Sequence, residues 1–217
     1  MASPYLTIAG PIGVGKSTLA AALAKHRGYA CFLESAGEKN PFLAGYYQQP
    51  KKYAFRSQCF FIAEALRQTQ EIAQLNGGAI QDRSLAEHMS IFIAGATDRG
   101  EISADEHQLL TDLTIGASAH LPAPDLMIYL QTTPQALRRR IKERGRDYER
   151  SLDLKSLGAM IERYDRWLAS WRSSPLLRLD VGQYDVHMDS DLGALSAQID
   201  ASTQGMAPSI SADRKNE

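Results

Sequence analysis

The sequence predicts an α/β domain with a five-stranded parallel sheet that helices cover on both faces. The main observation is that strand-like apolar runs alternate with helical segments, which is the order that parallel strands need for their crossover connections. A second observation is a glycine-rich loop between the first apolar run, at 5–9, and the first helical segment, at 18–25. Because neither a repeat nor a linker interrupts the alternation, residues 1–201 are predicted to form one domain. Residues 202–217 are predicted to be a disordered tail, since they are mainly small and charged.

Turn residues and helix caps set the limits of the other elements. Ser84 and Ser103 each precede a helical segment and have a glutamate three positions later, at Glu87 and Glu106, which is the pattern of a capping box. The other predicted strands are 29–33, 79–81, 125–130 and 176–180. The other predicted helices are 51–75, 84–95, 104–119, 133–144, 154–172 and 190–200, and 44–49 is predicted to be a short helix or a loop.

Composition narrows the class of protein and of partner. The 217 residues are 44% hydrophobic and 23% charged, and the net charge of −1 gives no overall attraction to nucleic acid or to an anionic membrane. No apolar run approaches the roughly 20 residues of a membrane span, and the N-terminus has no signal-peptide pattern. Cys31 and Cys59 form neither a disulfide framework nor a metal motif. We therefore expect a cytoplasmic protein that acts on a small molecule, without a nucleic-acid or membrane partner.

The most informative stretch is Gly10-Pro-Ile-Gly-Val-Gly-Lys16-Ser17, which matches the P-loop pattern G-x-x-x-x-G-K-[ST] between a strand and a helix. Its glycines allow the backbone to turn N–H groups inward, and the N-terminus of the next helix adds positive potential, so a triphosphate is the expected ligand. Lys16 supplies a charge for the β- and γ-phosphates, and the Ser17 hydroxyl is suited to Mg²⁺. The predicted phosphate-binding residues are Gly10, Gly13, Val14, Gly15, Lys16, Ser17 and Thr18.

Two carboxylates follow predicted strands at the edge where ligands bind in open α/β sheets. Glu34 ends the second strand and is suited to accept a proton from a substrate hydroxyl that attacks the γ-phosphoryl group. Asp82 ends the third strand and is suited to hold Mg²⁺ or its waters, while Arg83 offers a planar fork to a phosphate or to the attacking oxygen. A lone glutamate is more often solvated or a helix cap, and an Asp-Arg pair also fits a simple salt bridge, so these alternatives stay open.

A basic run follows the fourth predicted strand. Arg140 and Arg144 are four residues apart and therefore share a helix face, and Arg146 follows the helix break at Gly145. An arginine segment hinged at this glycine is predicted to close over ATP as a lid, stabilising transition-state charge and excluding water. The alternatives are a solvated basic helix and a nucleic-acid patch. The patch is disfavoured because only this segment is basic and it lacks interleaved aromatic residues.

Taken together, these residues resemble the deoxynucleoside kinase family, which includes deoxycytidine, deoxyguanosine and deoxyadenosine kinases. The resemblance extends from Gly10 to about Ile199 and rests on the order of several motifs. In chain order, the motifs are the P-loop, Glu34, Asn40-Pro-Phe-Leu43 with Tyr46-Tyr47, Phe55-Arg-Ser-Gln58, Asp82-Arg83-Ser84, Pro124-Asp-Leu-Met-Ile-Tyr-Leu130 and Arg140-Ile-Lys-Glu-Arg144-Gly-Arg146-Asp-Tyr-Glu149.

This resemblance implies a P-loop kinase fold with an arginine-rich lid, a homodimer packed through helices, and transfer of the γ-phosphoryl group of ATP to the 5′-hydroxyl of a deoxynucleoside. It implies that Glu34 is the general base, that Arg83 contacts this base and the 5′-oxygen, and that Asp82 and Ser17 help to hold Mg²⁺. The implied substrate-binding residues are Glu34, Tyr47, Phe55, Gln58, Arg83, His88 and Glu149; of these, Tyr47 and Glu149 hold the sugar 3′-hydroxyl and Gln58 binds the base. The implied catalytic residues are Lys16, Glu34, Arg83, Arg140 and Arg144, with Arg146 completing the lid.

Among the departures from the family's pattern, two concern residues that contact the base. Where an arginine and an aspartate usually contact the exocyclic groups of the base, this chain has Ala65 and His88, with Glu64 and Glu87 beside them as candidate substitutes. Losing such a charged pair changes discrimination strongly, so the preferred base stays open. His88 fits a helix-surface histidine as well as a pocket residue.

Two other functions remain compatible with the residues. One is a kinase of the same fold that acts on a modified nucleoside, a nucleoside monophosphate or another alcohol, as the altered base-contacting positions would allow. The other is a nucleotide-binding module that has kept the P-loop without phosphoryl transfer. The presence of Glu34, Asp82 and the arginine set argues against the second.

Overall fold

The computed structural model describes residues 4–34, 39–146, 149 and 152–204. Five strands form one parallel sheet in the order β2-β3-β1-β4-β5, which confirms the predicted sheet. Every residue of the central strand β1 is buried, as expected for a strand that helices cover on both faces. The strands are β1 (Tyr5–Ala9), β2 (Ala30–Phe32), β3 (Ala79–Asp82), β4 (Leu126–Gln131) and β5 (Leu176–Asp180).

The helices agree with most of the predicted positions and differ mainly at their ends. The C-terminal helix continues to Gln204 instead of ending near 200, so 202–204 are helical and do not belong to the predicted tail. The rest of that predicted tail, 205–217, lies outside the described residues. The helices are α1 (Lys16–Arg27), α2 (Leu43–Gln48), α3 (Pro50–Ala73), α4 (described below), α5 (Ala104–Ser118), α6 (Pro134–Arg144), α7 (Leu154–Ala169) and α8 (Asp189–Gln204).

Helices pack on both faces of the sheet because successive strand side chains point to opposite sides. On one face, Leu6 and Ile8 of β1 belong to a buried cluster with apolar residues of α1, α6 and α8. On the other face, Ala9 belongs to a cluster with Tyr129 of β4 and Tyr164 of α7. The carboxyl ends of β1 and β3 therefore lie between two firmly packed layers, which holds the loops that follow them in fixed positions.

Helix α4 differs in kind from the regular helix predicted over 84–95. It begins as α-helix (Leu85–Glu87), continues as π-helix (His88–Ile93) and ends as α-helix (Ala94–Asp98). The predicted capping box is only half formed, since the Ser84 hydroxyl accepts from the Glu87 amide at 3.2 Å but the Glu87 side chain turns into the core. The box at Ser103 has both of its hydrogen bonds. Wide π-helical turns occur often at functional sites, and this one borders a cavity.

None of the helices within the described residues combines the length and the apolar character that crossing a bilayer requires.

Candidate active site

A cavity of about 960 Å³ opens at the carboxyl edge of the sheet. The P-loop forms one wall, and the ends of β2 and β3 contribute Glu34, Asp82 and Arg83. Helices α3 and α4 form the far end, and Arg140 and Arg144 of α6, with Arg146 just after it, also line the cavity. In open α/β sheets, ligands bind at this edge, where the connections of neighbouring strands lead to opposite faces.

The P-loop has the backbone shape that its glycines predict. Gly13 and Gly15 have φ angles of +83° and +107°, and a Cβ atom on Gly13 would lie 2.7 Å from Ile141 Cγ1, so a side chain there would be both strained and crowded. Lys16 is only 6% exposed, and its ammonium donates to the carbonyl oxygens of Gly10 at 2.9 Å and Pro11 at 3.3 Å. Burial, together with the positive charge of Arg83, lowers the pKa of Lys16.

Ser17 and Asp82 form a pair of oxygen groups at the base of the cavity. The Ser17 hydroxyl donates to Asp82 Oδ2, while Asp82 Oδ1 is buried and has no hydrogen-bond partner within the described part of the chain. Burial raises the pKa of Asp82, and the charge of Lys16 opposes this shift. An unpaired carboxylate oxygen beside a hydroxyl is the donor set that Mg²⁺ prefers, so these residues fit a magnesium ion.

Arg83 connects the ends of two strands. Its side chain is 3% exposed, and its Nε lies 3.0 Å from Glu34 Oε1, forming an ion pair. Arg83 has a φ angle of +75°, in a region that non-glycine residues seldom occupy, and its guanidinium carbon lies 4.2 Å from the centre of the Phe92 ring. Glu34 itself is 23% exposed, so one side of its carboxylate faces the cavity while the other is held by Arg83.

The far end of the cavity is lined mainly by aromatic and other apolar side chains. His88 is 4% exposed and stacks on Phe61, with ring centres 5.4 Å apart and an interplanar angle of 26°. Its Nε2 lies 3.9 Å from Glu34 Oε1, and burial lowers the pKa of His88 well below its usual value, with Arg83 and Lys16 adding to the effect. Within the described residues, Gln58 Oε1 and His88 Nδ1 are buried without hydrogen-bond partners. This end of the cavity therefore combines aromatic faces with a few unsatisfied polar atoms, as ligand pockets commonly do.

The predicted lid arginines are already engaged in the structure. Helix α6 is capped at its C-terminus by Gly145, which has a φ angle of +72°. Within the helix, Arg140 donates to the Val14 carbonyl oxygen of the P-loop at 2.6 Å. Arg144 and Arg146 both form ion pairs with Glu149, whose side chain is 4% exposed. The arginines and Glu149 all line the cavity, which brings the predicted lid and the predicted sugar-binding carboxylate together.

Three predicted residues lie elsewhere than expected. Phe55 packs in the apolar cluster of Ile62 and Ile93 and does not contribute to the cavity wall. Val14 is 1% exposed and does not line this cavity; its side chain packs in the cluster of Leu137 and Ile141, and its carbonyl oxygen accepts from Arg140. The Gly10 amide is bonded to Glu87 Oε1 at 3.1 Å, so it does not face the cavity.

The structure brings the other predicted residues together at the cavity and adds some that the sequence did not indicate. Tyr47, Gln58 and Thr18 line the wall as expected. At the mouth, Tyr46 contacts Arg99 and Glu101, both at 3.1 Å. The Tyr46-Tyr47 motif was the sequence signal for this corner, but it did not indicate Arg99 or Glu101. Lining residues that sequence reasoning missed are Phe61, Ile91, Phe92, Arg99, Met160 and Arg163.

A second cavity, of about 340 Å³, lies on the other side of the P-loop. It shares Gly15, Thr18 and Arg140 with the first, and the loop between β5 and α8 forms its outer wall with Asp180, Tyr184 and His187. The P-loop thus separates two spaces, each large enough for part of a nucleotide.

A P-loop that faces a carboxylate–arginine pair across the edge of a parallel sheet defines a phosphotransferase of the P-loop kinase class. Comparison with known proteins gives the family. The deoxynucleoside kinase family model matches residues 6–201, and the chain belongs to this family. It is therefore a phosphotransferase with an alcohol acceptor, a deoxynucleoside kinase.

Characterised relatives cover most of the chain. A deoxyadenosine/deoxycytidine kinase of Bacillus subtilis is 33% identical over 188 residues, which are 86% of each chain. A deoxyguanosine kinase of Lactobacillus acidophilus is 32% identical over 190 residues, covering 83% of this chain and 82% of the relative. The structure of deoxyadenosine kinase from M. mycoides, with the products dCMP and a flexible dCDP bound, has a TM-score of 0.77 and 25% identity, covering 91% of this chain and 99% of that one.

Proposed function

We propose that the enzyme uses ATP and Mg²⁺ to phosphorylate the 5′-hydroxyl of a deoxynucleoside that carries an amino-substituted base. The observation that carries this proposal is the position of the Glu34–Arg83 pair. These side chains lie in the same cavity as Lys16 and Ser17, so an acceptor hydroxyl at Glu34 and a triphosphate in the P-loop meet within one enclosed space.

Glu34 takes the role of general base, since its carboxylate faces the cavity and can accept the proton of the attacking hydroxyl. Arg83 orients Glu34 and offers its remaining N–H groups to the acceptor oxygen. Lys16 exchanges its bonds with the loop carbonyl oxygens for bonds with the β- and γ-phosphates. Arg140 and Arg144 then stabilise the negative charge on the transferred group, as the closing lid excludes water.

Ser17 and Asp82 are the residues that would hold the magnesium ion. This assignment is supported by the unpaired Oδ1 atom of Asp82 and by the hydroxyl beside its Oδ2 atom. When bound, Mg²⁺ neutralises part of the charge on the phosphate oxygens.

The two cavities suggest where the bases bind. We place the base of ATP in the smaller cavity, between Arg140 and the loop after β5, because this cavity adjoins the P-loop at Gly15 and Thr18. The acceptor base lies at the far end of the larger cavity, beside Gln58 and the stacked rings of Phe61 and His88, with Tyr47 and Glu149 at the sugar 3′-hydroxyl.

The polar atoms at the acceptor end favour a base with an exocyclic amino group. Among the described residues Gln58 Oε1 is a buried acceptor without a partner, and the exocyclic amino group of adenine, cytosine or guanine would satisfy it. Ala65 is 4% exposed and supplies no charge where a base-contacting arginine is usual. The deoxyadenosine/deoxycytidine activity of the Bacillus subtilis relative supports the same preference.

We also propose that the enzyme is a homodimer located in the cytoplasm. On helix α5, Leu109 and Leu113 lie one turn apart on the same face, and their exposed fractions of 49% and 58% are high for large apolar residues. A second copy of the chain, packed helix against helix, would cover them.

The proposal is tested with a panel of acceptors and γ-labelled ATP. The panel contains deoxyadenosine, deoxycytidine, deoxyguanosine, deoxyinosine and thymidine, and transfer is measured with and without Mg²⁺. We expect Mg²⁺-dependent 5′-monophosphate formation, with deoxyadenosine or deoxycytidine giving the highest kcat/KM. Lys16→Ala should abolish transfer, whereas Lys25→Ala, on the exposed face of the same helix, should not.

Other outcomes would point to other functions. Transfer only to a modified nucleoside, a nucleoside monophosphate or another alcohol would favour the second candidate, for which the altered positions Ala65 and His88 are the reason. Tight ATP binding without transfer to any acceptor would overturn the kinase assignment for this chain.

A further inference from the structure

The Glu87 carboxylate is a buried charged group that the catalytic proposal does not use. It is 0% exposed, and its Oε1 atom accepts from three donors on three different parts of the fold. These donors are the Gly10 amide at 3.1 Å, Arg83 NH1 at 3.1 Å and the hydroxyl of Tyr164. A helix-capping role at Ser84 would not account for an oxygen atom that accepts three hydrogen bonds from other parts of the fold.

Tyr164 completes this network from helix α7. Its hydroxyl lies 2.8 Å from the carbonyl oxygen of Gly10 and 3.4 Å from Arg83 NH1, in addition to its contact with Glu87. Burial strongly raises the pKa of Tyr164, so the phenol keeps its proton and remains a donor. Stacking on Tyr129, with ring centres 5.4 Å apart, fixes the ring and hence the direction of the hydroxyl.

The network reaches two cations of the proposed active site, Lys16 and Arg83. The Gly10 carbonyl oxygen also accepts from the ammonium of Lys16. Tyr164 and Glu87 therefore hold the residue of the P-loop to which the Lys16 side chain is hydrogen-bonded. They hold Arg83 by NH1, while the Nε side of the same guanidinium faces Glu34. Since the backbone of Arg83 has a φ angle of +75°, its conformation depends on surrounding contacts of this kind.

We propose that Glu87 and Tyr164 are positioning residues. They hold Arg83 against Glu34 and keep Gly10, at the start of the P-loop, at a fixed position relative to this pair. The proposal rests on the proposed function, because it assigns Arg83 and Glu34 to catalysis. Neither Glu87 nor Tyr164 touches the substrates; each acts through Arg83 and Gly10.

Tyr164→Phe is the sharpest test, since it removes only the hydroxyl and keeps the stacked ring. Loss of a hydrogen bond to a charged group in a catalytic arrangement should lower kcat about 10- to 100-fold, with the KM values of both substrates changed less than about threefold. Tyr129→Phe is the matched control, because its ring belongs to the same stack but no hydrogen bond of its hydroxyl is found among the described residues. Glu87→Gln should give a similar loss, and the double variant should lose little more than either single variant.

A second readout does not depend on catalysis. NMR measures how fast the Arg83 Nε proton exchanges with water, and the Arg83→Lys variant assigns its signal. We expect this exchange to be slow in the wild type and about tenfold faster in Tyr164→Phe. Unchanged exchange, or equal loss of kcat in Tyr129→Phe, would overturn the positioning role. A wild-type protein without transfer activity would overturn the proposed function instead, while the exchange rates would still decide whether the network holds Arg83.

Discussion

The Nε atom of Arg83 lies 3.0 Å from the Oε1 atom of Glu34, although the two residues follow different strands. The pairing arises because β2 and β3 are parallel neighbours, so the residues that follow their carboxyl ends meet at one edge of the sheet. The buried arginine approaches from the core, and the glutamate reaches the cavity. This geometry leaves one face of the carboxylate free for an acceptor hydroxyl and is the basis of the first prediction.

Glu34→Gln should lower kcat about 10²- to 10⁴-fold, which is the usual contribution of a general base. The amide keeps the shape of the side chain, so the KM for ATP should change little. Steady-state kinetics with labelled ATP measure both values. Glu71→Gln, on an exposed part of α3, serves as the control. Turnover of Glu34→Gln close to that of the wild type would remove Glu34 from the role of base.

Asp82→Asn should raise the Mg²⁺ concentration needed for half-maximal activity. The substitution removes the negative charge beside Ser17 and leaves an amide, which is a poorer magnesium ligand, so we expect an increase of about 10- to 100-fold. Activity is titrated with Mg²⁺ at fixed ATP. The exposed Asp105→Asn is the matched control, and equal magnesium curves for the two variants would contradict the assignment.

His88→Gln should change how stability depends on pH. In the folded protein the pKa of His88 is well below its value of about 6.5 in the unfolded chain. As pH falls below about 6.5, the unfolded state takes up a proton that the folded state does not, so the free energy of unfolding decreases, by at most about 1.4 kcal/mol per pH unit.

The variant should therefore show a shallower decline between pH 6.5 and 5, measured by urea unfolding at each pH. The raised pKa values of Asp82 and Glu87 act in the opposite direction, but they are common to both proteins and largely cancel in the comparison. The exposed His120→Gln should retain the wild-type decline. An identical pH dependence of His88→Gln and the wild type would show that His88 is not held neutral by its surroundings.

Leu113→Glu should convert the proposed homodimer into a monomer. A charge on the face of α5 that exposes Leu109 and Leu113 would lose its hydration in a helix-to-helix interface, which is costly. Sedimentation analysis should give twice the chain mass of 23.9 kDa for the wild type and the single mass for the variant. Leu75→Glu, at another exposed leucine, should leave the mass unchanged. A wild type that sediments as a monomer would reject the dimer.

The sequence predicted the parts of the site whose residues are neighbours along the chain or follow one strand. The P-loop was recognisable because its glycines, lysine and serine must be contiguous, and Asp82-Arg83 because a strand delivers both to one edge. Glu87 was misjudged, since its spacing from Ser84 fits a capping box as well as an inward-facing carboxylate does. Within the predicted helix 154–172 nothing singled out Tyr164 for the site, because helical spacing does not show which group a side-chain hydroxyl contacts. Phe55 was placed in the substrate site by its motif, although packing turns it into the apolar cluster beside the cavity.

By itself, the sequence determined the strand and helix order, the parallel sheet, the phosphate-binding loop and the family. These depend on hydrophobic periodicity and on residues that are neighbours along the chain. Only the tertiary structure decided which face of Glu34 is held, what Glu87 and Tyr164 bind, and how the π-helical turn places His88 on Phe61. The reason is physical: these contacts join β2, the P-loop, α4 and α7, and their geometry is fixed by packing between elements that are distant in sequence.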